Sequence, residues 1–211
     1  MSSMTLTDLY AKLKSKIFRN PANGDLFYNY YIFMYPAAEE YKWRRDILDI
    51  KEKLIKPADY IDTLVLNLFD EFCDYLDNIP FGKNPSLLKY LLEKESQGGN
   101  AIEQVQKSLT HHANSNEFLQ YIHNRITEHV SKQEDEFTRP YIFIHGVGQM
   151  YPYLRASTFF AQYEPLNNPS KYKMILFYPG TACDDDTKFK LFGVLNDNHK
   201  YRSHLLINDE Y

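Results

Sequence analysis

Cysteine is nearly missing from this sequence. Cys73 and Cys183 stand far apart and neither belongs to a CxxC pair, so neither a disulfide scaffold nor a thiolate zinc site is indicated, and a reducing cytoplasm suits the chain. Long apolar runs are missing too: none approaches the roughly 20 residues that cross a bilayer. The first ten residues, MSSMTLTDLY, also lack the apolar segment of a secretion signal. The expectation is a soluble cytoplasmic protein without membrane contact. Positive charge is not in excess, with 24 Lys and Arg against 28 Asp and Glu. A surface that grips nucleic acid everywhere needs a concentrated positive field, so that class falls away. The sequence has no internal repeat and no low-complexity tract.

What it has is length, apolar residues and rings. A chain of 211 residues buries about 70% of its unfolded surface on folding, enough for one full core without metals or disulfides. The 18 Tyr and 14 Phe are an unusual share, and some are expected at binding surfaces.

The periodicities alternate. Leu6, Leu9, Leu13 and Ile17 repeat at helical spacing behind a Thr5/Asp8 capping box. Lys12, Lys16 and Arg19 lie on the other side of that helix and read as a solvated face more readily than as a nucleic-acid contact. Phe27 to Pro36 reads as a strand, Trp43, Ile47, Ile50 and Leu54 as one face of a helix, and Ile61 to Leu68 as a second buried strand. Helical patterns then fill roughly residues 70–135, interrupted at ESQGGN, Glu95 to Asn100. Pro140 to His145, Lys173 to Tyr178 and Ser203 to Ile207 are strands three to five, with a helix expected over Tyr151 to Tyr163. The fold class is α/β: a single Rossmann-like domain over 1–211, with a mostly parallel open sheet of about five strands and a helical insertion between strands two and three.

Chemistry is expected beyond the carboxyl ends of such strands. Two strands end in glycine there, in FIHGVG and ILFYPG, which would bring Gly146, Gly148 and Gly180 to one crevice. Pro152 suits the first position of the following helix, and Arg155 would then sit in its first turn, where a positive charge opposes the helix dipole. Something anionic should compensate: a phosphate held with the loop amides, or a carboxylate of this chain or of a partner. Against phosphate, no P-loop Lys-Ser/Thr follows, and Tyr151 stands where GxGxxG needs its last glycine. Tyr151, Tyr153 and Tyr178 cluster around the same strand ends, and tyrosine with arginine is the pairing enriched at interface hot spots. Packing beneath the loops is their structural alternative.

The other candidates carry less. His145 ends a strand but has no nucleophile at a fixed spacing, so a hydrogen-bonded structural histidine is expected. His111, His112, His123 and His129 do not repeat at the i, i+4 spacing of a metal pair and read as surface residues. Asp184, Asp185 and Asp186 read as a solvated acidic loop before they read as magnesium ligands, and the same acids make Cys183 a poor nucleophile. Cys73 shares an apolar helix face and is expected in the core. No catalytic residue, metal or cofactor is assigned.

In order, FIHGVGQMYPYLRAS, MILFYPG, KLFGVL and YRSHLLI resemble the BrxB family of the bacteriophage exclusion (BREX) defence system. The family pattern falls on Gly146, Gly148, Tyr151, Pro152, Arg155, Pro179, Gly180, Leu191, Phe192, Gly193, Tyr201 and Arg202; Lys200 replaces a common second tyrosine. The resemblance implies a component of a system that methylates host DNA and blocks phage replication, and no catalytic activity. It implies a non-catalytic adaptor that binds another BREX protein, with the PglZ-type phosphatase-like protein as preferred partner and only an indirect association with DNA through that complex. The partner surface expected on this basis comprises Gly146, Gly148, Tyr151, Tyr153, Arg155, Tyr178, Gly180, Tyr201 and Arg202. The alternative is a degenerate nucleotide- or phosphate-binding domain with a sensing role.

Overall fold

The computed structural model describes residues 4–19, 30–57, 59–132, 139–182, 188–198 and 203–206. Two short helices open it, α1 (Leu6–Lys14) and α2 (Lys16–Arg19). The Thr5/Asp8 capping box forms as expected, but the helix breaks at Ser15, so Phe18 is buried and Ile17 is turned out to solvent. The same break splits the expected basic face: Lys12 precedes it, and Lys16 and Arg19 follow it.

Next come β1 (Tyr30–Tyr35), α3 (Glu40–Leu54) and β2 (Thr63–Asn67). Four helices follow, α4 (Leu68–Asp77), α5 (Leu87–Glu95), α6 (Asn100–Ala113) and α7 (Asn116–Ser131). Three of them start on side-chain caps that sequence supplies directly, Asn67, Ser86 and Ser115. The chain then forms β3 (Tyr141–His145), α8 (Val147–Met150), α9 (Ala156–Tyr163) and β4 (Lys173–Ala182). It ends in β5 (Lys188–Leu191), β6 (Leu195–Asn198) and β7 (Ser203–Leu206).

The five expected strands form one parallel array in the order β2-β3-β4-β1-β7. Among the described residues the sheet counts seven strands, because β5 and β6 add an antiparallel hairpin to the far end of β4 beyond the five expected. The strand expected over Lys173 to Tyr178 runs on through Pro179 and Gly180 to Ala182.

Alternation along the strands separates two cores. Tyr30, Ile32, Leu66, Ile142, Ile144, Leu176 and Tyr178 face α4 to α9 and the hairpin. Tyr31, Phe33, Tyr35, Phe143, Ile175 and Phe177 face α1 to α3. With both faces covered, the central strands read as continuous apolar runs rather than as alternating ones. On α3, Trp43, Ile47, Ile50 and Leu54 are all buried, each contributing about 1.5–3 kcal/mol. Rings do much of this packing: Phe177 lies against Phe143 and Phe33, with centroids 5.1 and 5.6 Å away. Lys173 is buried at the start of β4 with its ammonium 4.3 Å from the centre of the Phe18 ring.

The strand order also decides what lies at the carboxyl ends. β1 connects back across β4 and β3 to β2, while β4 connects forward past β1 to β7. Ligand crevices open where the strand order reverses and neighbouring connections part; between β4 and β1 the connections run toward each other.

Candidate functional site

Strand β3 ends at His145 and turns at Gly146, whose φ of +78° a residue with a Cβ rarely adopts. A Cβ built there would stand 1.9 Å from Asn67 Oδ1. Asn67 is held in place: its Oδ1 accepts from the Phe69 amide at 3.0 Å, capping α4, and its Nδ2 donates to Gln149 Oε1 at 3.2 Å. A Cβ on Gly148 would meet the Phe192 ring at 2.8 Å and Pro179 at 3.2 Å. At Gly180 it would lie 2.3 Å from the Lys190 carbonyl oxygen, where β4 and β5 pair. Gly146 stands directly after the end of β3, whereas Gly148 lies in α8 and Gly180 inside β4. The space beside each is taken by the protein's own atoms.

The helix expected over Tyr151–Tyr163 begins only at Ala156. Tyr151 is extended (ψ 134°) before Pro152, as sterics before proline favour, and the Tyr151–Pro152 bond is cis. Pro152 therefore belongs to the turn between α8 and α9 and is not a first helical residue. Arg155 is the N-cap of α9 in extended conformation, not a first-turn residue. Its Nη1 donates to the Asn196 carbonyl on β6 at 3.0 Å, and its guanidinium lies 5.8 Å from the Tyr151 ring centre. The group that answers its charge is thus a carbonyl of the chain's own hairpin, and the side chain remains exposed.

The tyrosines divide. Tyr178 is fully buried and donates to Asp197 Oδ2 at 3.2 Å; burial first, then the Asp197 charge, holds its hydroxyl well above the usual phenol range. Tyr178 and Gly180 are buried, so neither lies on an open surface. Tyr151 and Tyr153 are half-buried, and the Tyr153 carbonyl accepts from Asn114 Nδ2 at 2.8 Å. Tyr201 and Arg202 lie outside the described residues, as do Cys183 and Asp184 to Asp186.

Sequence reasoning missed the hairpin. Its tip, Phe192-Gly193-Val194, reverses the chain with φ +56° at Phe192 and +77° at Gly193. Three amides fix it: Phe192 to the Pro179 carbonyl at 2.8 Å, Gly193 to Lys190 at 3.0 Å and Val194 to Leu191 at 3.2 Å. Behind the tip, Phe189 and Leu191 are buried; at it, Phe192 is 39% and Val194 75% exposed. The signal was present in LFGVL, a glycine flanked by apolar residues, a pattern also carried by the family resemblance. Arg155, Tyr151, Phe192 and Val194 thus belong to one region, tied together by the Arg155–Asn196 bond and the Phe192–Gly148 contact.

His145 is buried, and its Nδ1 has no hydrogen-bond partner among the described residues, contrary to the expected bonded histidine. Burial lowers its pKa to about 4, with the Glu40 carboxylate pulling it up and Arg44 pulling it down. The helical histidines are less superficial than expected: His112, His123 and His129 are half-buried, His123 Nδ1 lies 3.1 Å from the Tyr163 hydroxyl and His129 Nε2 2.9 Å from Asp62. Cys73 is half-buried rather than in the core, and its thiol pKa is raised by burial and then by Asp70 and Asp74. Among the described residues no cluster of three or more His, Cys, Asp or Glu is placed to hold a metal ion, and no helix is long and apolar enough to cross a membrane.

The family model described as BREX protein BrxB aligns with residues 64–206, from β2 to the end of β7. No curated protein and no solved structure matches.

Proposed function

The chain belongs to the BrxB family of BREX phage-defence proteins, and on that premise we propose that it is a non-catalytic adaptor, docking a larger protein of the system through the hairpin tip. The observation that carries this reading is the occupancy of the glycine turn. Asn67, Phe192 and the Lys190 carbonyl fill the places beside Gly146, Gly148 and Gly180 where phosphate oxygens would have to approach. The same packing holds Phe192 and Val194 outward beside Arg155. An apolar tip rimmed by an arginine and a tyrosine has the composition of a binding anchor. Family context favours the PglZ-type protein as the partner.

The test is co-purification with that protein, with complex mass read by light scattering, for wild type, Arg155→Ala and Val194→Glu. Each substitution is expected to weaken binding about tenfold or more, since a lost charge-assisted bond or a desolvated carboxylate costs at least ~1.4 kcal/mol. Unchanged melting temperatures would show that the fold survives. Wild-type affinity in both variants would remove the tip as the docking surface.

The phosphate-binding alternative has its own readout. A ligand at 100 times its Kd adds about 2.7 kcal/mol, which for a chain of this size raises the melting temperature by roughly 5–10 °C. Millimolar ATP, GTP or inorganic phosphate is expected to leave it unchanged. A shift with any of them, abolished by Gly148→Ala, would transfer the function from docking to sensing.

A further inference from the structure

Helix α3 buries Trp43, Ile47, Ile50 and Leu54 against the sheet. Its outward side is not uniformly polar. Tyr41 is 79%, Leu48 52% and Ile55, the C-cap residue in helical conformation, 49% exposed; at seven-residue spacing they form a single row that drifts about 20° around the helix per step. Lone exposed apolar residues on a surface are ordinary. A row at heptad spacing over four turns, on a helix whose core face is already satisfied, has the pattern of a helix–helix seam.

The charges beside the row point to its occupant. Arg45 and Glu52, three residues before and four after Leu48, lie on the same flank and are exposed. On the other flank Arg44 is already paired with Glu40 at 3.2 Å and lies over the Tyr41 ring. Directly beside the row the first flank therefore carries one charge of each sign, Arg45 and Glu52, set almost symmetrically about Leu48, with Lys42 and Asp49 further round. Neither a uniformly acidic nor a uniformly basic helix complements that arrangement, but the same helix reversed does.

We propose that this row seats a second copy of the chain, with two α3 helices packed antiparallel about a two-fold axis at Leu48. In that register Leu48 meets Leu48 and Tyr41 meets Ile55. At about 1.5 Å rise per residue, Arg45 comes within about 1.5 Å in height of Glu52 of the second copy. Both ends of the contact form this pair, since a two-fold interface makes every heterotypic contact twice. The helix lies on the sheet face opposite the β5–β6 hairpin and outside the family-matched segment, so the dimer would leave both hairpin tips free. Its partners would then be gripped in pairs, with the avidity that two linked sites confer.

Three apolar residues per copy make a small interface, so the association is expected in the micromolar range or weaker. Sedimentation velocity of the full chain from about 1 to about 500 µM tests it. The mass should rise from one chain to two. Leu48→Glu, which places two carboxylates on the axis, should stay a single chain at every concentration with an unchanged helical circular dichroism signal. Glu52→Arg should weaken the dimer about tenfold, and Arg45→Glu with Glu52→Arg in one chain should restore it. A wild type of one-chain mass throughout, or a Leu48→Glu variant that dimerises like wild type, would overturn the proposal. Failure of the double swap to restore the dimer would overturn the antiparallel register. None of these outcomes touches partner binding through Arg155 and Val194, which is read separately.

Discussion

Gly146→Ala is expected to lower stability by about 2–3 kcal/mol and the melting temperature by roughly 5–10 °C. Two costs combine. Holding a Cβ at φ +78° costs about 1–2 kcal/mol. The new methyl would also stand 1.9 Å from Asn67 Oδ1, so Asn67 must leave its place and α4 loses its N-cap, worth about 1 kcal/mol. Against a total stability of about 5–15 kcal/mol this is a large fraction. Thermal and urea denaturation measure it. Pairing the change with Asn67→Ser, which keeps a capping oxygen on a shorter side chain, should recover about half of the loss, because only the clash is relieved. A loss below about 1 kcal/mol in the single variant would mean that the turn is not packed as described, and the space for a phosphate would be open again.

Acid should weaken the protein through His145. Its folded pKa is about 4, against about 6.5 in the unfolded chain, because the buried ring is kept from charging. Between those values the unfolded state binds a proton that the native state does not. Stability therefore falls as pH drops from about 6.5 to about 4, by up to about 3 kcal/mol from this one residue. Urea midpoints measured across that window would show it. His145→Leu should flatten this part of the profile while remaining near wild-type stability at pH 7, since the lost Nδ1 has no partner among the described residues to leave unsatisfied. Parallel pH profiles in the two proteins would assign the acid sensitivity to carboxylates elsewhere.

Local signals carried far in the interior. Strands β1, β3 and β4 were legible because residues buried on both faces leave apolar, β-branched and aromatic runs, and the partly buried edge strands β2 and β7 were legible from shorter apolar stretches. The caps at Thr5 and the apolar face of α3 were legible for the same reason: each rests on neighbours within one or two helical turns. The errors fell where a non-local contact outweighed a local rule. Pro152 fits a first helical position, but the chain between α8 and α9 must reach the hairpin, so Arg155 becomes a cap bonded to Asn196. Ile17 fits the helical period of α1, but the break at Ser15 gives its place to Phe18.

The glycine turn shows the division most clearly. By itself the sequence determined a parallel α/β core, the strand ends at which Gly146, Gly148 and Gly180 would gather, and, through an ordered set of motifs, the BrxB family. It did not determine whether those glycines make room for a ligand or for the protein itself, because both uses demand the same missing Cβ. Only the tertiary structure decided that Asn67, Phe192 and the Lys190 carbonyl occupy the space: they arrive from residues up to 79 positions away, and no local pattern records what a distant side chain fills.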